Sequence, residues 1–136
     1  SPNAVRMTTR IGARVELHST SVGKAYLSAL PDERAREIIA TLELPRFTRF
    51  TFTDPAAFYE EIKKTRERGY SYDHEENEPD IRCFGSTIYD RSGEPIGGVS
   101  ISIPLYRYDE ARHADYARMI RKTAASITEA LALVVK

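Results

Sequence analysis

Apolar positions in this chain recur at two different periods, and the changes between them divide it into elements. Around Val5 and Met7 the alternation is that of a short strand over residues 3–9, closed by Gly12. A helix is expected over residues 21–30, stopped by Pro31-Asp32, with Asp32 capping the next helix. There Ile38, Ile39 and Leu42 fall at helical spacing before Pro45 closes it. Thr53-Asp54-Pro55 marks another helix start, a capping carboxylate followed by proline at the first helical position. Phe58, Ile62 and Thr65 form the inner stripe of that helix, and Gly69 ends it. A strand over residues 70–73 follows. The two clearest strands cover residues 81–89 and 96–103, joined by the hairpin loop Asp90-Arg91-Ser92-Gly93-Glu94-Pro95. A last helix begins near Asp109 or Glu110, with Ala114, Ala117, Ile120, Ala124, Ile127 and Leu131 along one face. This order predicts an α+β domain, an antiparallel sheet with helices packed on it.

Alternation in the last strand separates the faces of that sheet. Val99, Ile101 and Ile103 point one way, onto helices, and Ser100 and Ser102 point the other. In the preceding strand Ile81, Cys83 and Gly85 share a face. Serines at this spacing suit a solvated face as well as a cavity wall, and Cys83 suits the role of a small buried hydrophobe.

Candidate chemistry concentrates at one helix start, Leu17-His18-Ser19-Thr20-Ser21-Val22-Gly23-Lys24-Ala25-Tyr26-Leu27. Ser19 or Thr20 can cap the helix. The amides near Ser21 and Val22 then have no partner within it, and free N–H groups at a positive dipole end suit an anion such as a carboxylate. Water at a capped helix is the alternative.

Composition narrows the function classes. One domain of 136 residues, 41% hydrophobic and 29% charged, is ordinary for a soluble globular protein. A formal net charge of zero lacks the basic excess of a nucleic-acid-binding surface, so any DNA contact is expected from a domain outside this chain. No apolar run is long enough for a bilayer and no leader pattern precedes the first strand. The single cysteine, Cys83, excludes an internal disulfide and fits a cytoplasmic setting. His18, Asp73, His74, Glu76 and Cys83 are all possible metal ligands, but none forms a diagnostic short pair, and no cofactor or metal is expected. Ser19 and Ser21 lack a nucleophile elbow, Gly23-Lys24 lacks the glycine of a phosphate loop, and no local motif puts a histidine beside Cys83. The chain is therefore not expected to be an enzyme. The acidic run Asp73-His74-Glu75-Glu76-Asn77-Glu78-Pro79-Asp80 is expected as a solvated loop over one end of the sheet, with a lid or dimer contact as the alternative, flanked by Arg68 and Arg82.

The helix-start motif together with Thr53-Asp54-Pro55, Arg68-Gly69-Tyr70-Ser71-Tyr72-Asp73-His74-Glu75-Glu76, Ile81-Arg82-Cys83, Tyr89-Asp90-Arg91-Ser92-Gly93 and Ser100-Ile101-Ser102 resembles the effector-binding domain of IclR-type bacterial transcription regulators. The resemblance extends over nearly the whole chain. It departs from the family in three respects: the winged helix-turn-helix domain is missing, the first one or two strands of the effector domain are missing, and Phe84-Gly85-Ser86-Thr87 stands where small apolar residues and a proline often follow the cysteine. The resemblance implies a GAF/PAS-like fold, a six-stranded antiparallel sheet with helices on one face and a ligand cavity on the other. It also implies that the backbone amides of Ser21 and Val22 receive an effector carboxylate, and that Met7, Asp73, Ile81, Cys83, Ser100 and Ser102 form the cavity wall. On chemical grounds an ionised Asp73 suits a hydroxyl, so the expected effector is a small hydroxy, keto or sugar acid. The implied whole is a homodimer or homotetramer that acts on DNA through the separate domain. A ligand-free oligomerisation domain and a small cysteine hydrolase are the competing functions.

Overall fold

In a computed structural model of the protein, residues 15–134 are described. The expected strand over residues 3–9, with Met7, lies outside them. The chain runs α1 (Ser21–Ala29), α2 (Asp32–Thr41), α3 (Pro55–Arg68), β1 (Ser71–His74), β2 (Ile81–Tyr89) and β3 (Pro95–Pro104). Two 3-10 turns, Leu105–Arg107 and Glu110–Arg112, then lead into α4 (His113–Ala132). Among the described residues the sheet has three strands, antiparallel in the order β1-β2-β3, the three that the sequence pattern predicts there.

The α+β architecture is as expected, but the division of the two faces is not. Phe84 of β2 packs with Tyr116, Ala117 and Ile120 of α4, and Val99, Ile101 and Ile103 join them. The opposite face, that of Cys83, Gly85 and Thr87, is crossed by α1. Thr87 Oγ1 donates to the Ala25 carbonyl at 2.8 Å and Ser71 Oγ donates to the Ser21 carbonyl. Helices therefore lie on both faces. A second core of Leu27, Ile39, Phe58 and Ile62 joins α1 to α2 and α3 on that side.

Local chemistry explains most of the boundaries. Asp54 Oδ2 accepts the Ala57 amide at 3.0 Å, Pro55 opens α3, and Gly69 closes it at φ 82°, the left-handed region that other residues enter at a cost. Asp54→Ala is expected to cost about 1 kcal/mol of stability, measurable as a lowered urea midpoint with an unchanged slope.

Three expected boundaries move. Asp32 is the first residue of α2 rather than its cap, because its carboxylate accepts the Tyr59 hydroxyl at 2.8 and 2.9 Å and Arg66 at 3.2 Å. The helix ends at Thr41, short of Pro45, where Leu42 N turns back onto the Ile39 carbonyl. Asp109 caps the 3-10 turn rather than α4, accepting the Ala111 amide at 3.0 Å, and on α4 Tyr116 is buried where Ala114 was expected.

Candidate functional site

Between the N-terminus of α1 and the sheet face that α1 crosses lies a cavity of about 310 Å³. Its wall contains Ser21 and Val22 from α1, Asp73 from β1, Ile81 and Cys83 from β2, and Ser100 and Ser102 from β3. Every sequence-predicted site residue except Met7, which lies outside the described residues, thus meets in one place. The β register brings the strands' share together, pairing Asp73 with Cys83 and Cys83 with Ser102 across the sheet. All three side chains project to the same face because the pairing is in register. Val15, Thr20, Asn77 and Glu78 complete the wall.

At the helix start, Thr20 rather than Ser19 is the cap. Its Oγ1 accepts the Gly23 amide at 3.1 Å and its carbonyl accepts the Lys24 amide at 3.0 Å. Among the described residues the amides of Ser21 and Val22 have no acceptor. Ser19 instead donates to Asn77 Oδ1 at 2.7 Å, tying the helix start to the acidic loop. The nine-residue helix brings its positive end to the cavity.

Acidic groups face that end. Asp73 is 3% exposed, and its Oδ1 accepts the Glu76 amide at 2.7 Å. Burial, reinforced by the neighbouring Glu76 carboxylate, pushes its pKa up to about 7. Cys83 Sγ sits 3.2 Å from Ser102 Oγ, and burial, with Asp73 nearby, pushes the thiol up to about 12. A protonated thiol is a poor nucleophile, so the geometry gives the cysteine hydrolase no support. Among the described residues no group of three His, Cys, Asp or Glu side chains is placed to hold a metal. His18 is a core histidine instead, 1% exposed, with Nε2 at 2.9 Å from the Pro45 carbonyl.

The acidic run is more deeply built in than a solvated loop. Glu76 is buried, and both of its carboxylate oxygens bond Lys24 Nζ, at 2.9 and 3.2 Å. Lys24, with no exposed surface, also bonds Glu61 Oε2 at 2.8 Å and the Tyr72 carbonyl. Glu75 pairs with Arg82 at 3.4 Å, whereas Arg68 turns to Glu61 at 3.3 Å. Thr48 and Thr51 donate to the Glu75 and Glu76 carbonyls, both at 2.6 Å. Sequence reasoning missed Lys24 as a structural charge. The available signal was a lone lysine between Gly23 and Ala25 in a short helix that core elements surround.

The family described as "Bacterial transcriptional regulator IclR C-terminal" matches residues 1–129. Transcriptional repressor IclR of Escherichia coli is 33% identical over 91% of this chain and 45% of its own length. HTH-type transcriptional regulator KdgR of the same organism is 36% identical over 91% and 47%. The chain thus spans about half the length of these curated relatives. The crystal structure of Thermotoga maritima IclR superposes with a TM-score of 0.88 at 36% identity, covering 95% of this chain and 52% of that one. An IclR homologue from Microbacterium hydrocarbonoxydans complexed with 4-hydroxybenzoate gives 0.78 at 26% identity, covering 94% and 51%. The PobR inducer-binding domain from Acinetobacter, a double mutant in complex with 3-hydroxybenzoic acid, gives 0.79 at 26%, covering 93% and 75%.

Proposed function

The chain belongs to the IclR family, whose members are transcription regulators rather than enzymes, and matches its C-terminal domain; from that premise we propose that it senses a small organic acid and passes the signal to a DNA-binding module. The guest's carboxylate takes the Ser21 and Val22 amides, and its polar end reaches Ser100 and Ser102. The observation that carries this is the convergence of those amides and serines, with Asp73, Ile81 and Cys83, on one cavity of about 310 Å³. A Ser or Thr hydroxyl both donates and accepts, so the serines suit hydroxyl and keto groups alike. Each neutral hydrogen bond contributes about 0.5–1.5 kcal/mol and each charge-assisted one about 1.5–3. After ordering costs this gives micromolar to millimolar affinity. The two neighbours that carry hydroxybenzoates support an acid with a hydroxyl at its far end.

Signal transfer requires that the acid bind two arrangements of the assembly unequally. A dimer or tetramer of this domain, held beside DNA-binding modules, supplies those arrangements. The zero net charge of the chain is consistent with DNA being contacted by other parts of the regulator.

Thermal unfolding with a panel of hydroxybenzoates, 2-keto acids and sugar acids tests the proposal. At a hundredfold excess over its Kd, a true effector adds about 2.7 kcal/mol and raises Tm by several degrees. No shift with any acid is the result expected of a pure oligomerisation domain.

A further inference from the structure

The acid-sensing reading leaves a charge problem that the structure itself resolves. No lysine, arginine or histidine is found among the described residues lining the cavity, yet Asp73 and Glu78 are. Lys24 acts on Asp73 from behind the wall, but its ammonium is spent on Glu61 and Glu76. Arg68 also lies on Glu61. Asp73 faces the Glu76 carboxylate of the loop and the Cys83 thiol of β2. An anion seated on the Ser21 and Val22 amides therefore shares a small space with a buried carboxyl group that has no counter-ion among the described residues.

We propose that Asp73 meets the effector as a neutral acid and donates a hydrogen bond to it, so that capture of the anion draws one proton from solvent onto Asp73. This rests on the acid-sensing reading and sharpens it. The sequence suggests an ionised Asp73 that accepts from a hydroxyl. The geometry instead makes it a donor, which selects guests offering an acceptor oxygen at that point, whether keto, ether or hydroxyl. One Asp73 oxygen is already engaged by the Glu76 amide, and that bond survives protonation of the other oxygen. The proton balance holds for each molecule whose Asp73 is ionised: buffer gives up H⁺, the carboxylate becomes a carboxylic acid, and the cavity's net charge is unchanged when the monoanion enters; a molecule whose Asp73 is already neutral takes up none. The raised proton affinity of the free side chain, with a pKa of about 7, makes the uptake accessible near neutral pH.

The test is a carbon-13 NMR titration of the aspartate carboxyl signals in the intact chain. Asp73 is identified by its loss in Asp73→Asn, and the titration is run with and without 4-hydroxybenzoate and 2-ketobutyrate. The expected result is an Asp73 midpoint near 7 in the free protein, moving up by about one pH unit or more when an acid is bound. Affinity should then fall between the free and the bound midpoints, by about tenfold for each pH unit that separates them, and level off above the bound one. Asp73→Asn, which keeps an acceptor for Glu76 and a donor for the guest, should bind with affinity that no longer varies over this range. An Asp73 that ionises near pH 4 in the free protein, or an acid that binds without moving the midpoint, overturns the inference and leaves acid sensing intact. Failure of every acid to bind wild type and Asp73→Asn alike overturns the acid-sensing reading, and the inference with it.

Discussion

Lys24→Met is expected to lower folding stability by about 3–5 kcal/mol at neutral pH, the cost of stranding buried charge. The lysine has no exposed surface, while the side chains of Glu76 and Glu61 are 6% and 12% exposed. Methionine fills most of the volume but leaves the Glu76 carboxylate, among the described residues, with only the His74 amide at 3.0 Å. Glu61 retains Arg68. Urea unfolding at neutral pH reads this loss directly. Lys24→Met/Glu76→Gln should restore part of the loss. For contrast, removing the Arg34–Glu37 pair, with side chains 61% and 59% exposed, should change stability by less than about 1 kcal/mol.

Gly85→Ala is expected to cost about 2–3 kcal/mol and to remove the acid-induced rise in Tm together with it. A methyl at this position would stand 2.6 Å from Ser71 Oγ, 2.8 Å from the Ser21 carbonyl oxygen and 2.9 Å from its carbon. The serine side chain has some freedom. The Ser21 backbone does not, since it opens α1 and carries one of the two amides proposed to receive the carboxylate. Relief of the clash must lift the helix start from the sheet, so stability and binding fail together. Gly97→Ala is the matched control. Nothing among the described residues lies within 4 Å of its added methyl, and it should leave both readouts close to wild type.

What the sequence reveals here is what short-range physics decides. The Asp54 cap, Pro55 and Gly69 delimit α3 from within a few residues, and the alternation through Val99, Ser100, Ile101 and Ser102 separates the faces of β3. Motif resemblance then groups Ser21, Val22, Asp73, Ile81, Cys83, Ser100 and Ser102, which the fold brings to one cavity. The rest depends on contacts distant in sequence. No local pattern says that α1 crosses the serine face, because that position is fixed by Thr87 and Ser71 bonding to its carbonyls. Asp32 looks like a cap until Tyr59 and Arg66 claim its carboxylate. The acidic run looks solvated until Lys24, Thr48 and Thr51 are seen holding it.

Those two threonine hydroxyls have a kinetic consequence. Because Thr48 and Thr51 grip the carbonyls of Glu75 and Glu76, the segments before α3 and after β1 form one cooperative opening unit. Asn77 and Glu78 of the cavity wall follow directly on the gripped residues. On the proposed reading, the dissociation rate of a guest is expected to rise when that grip is removed, as in Thr51→Val.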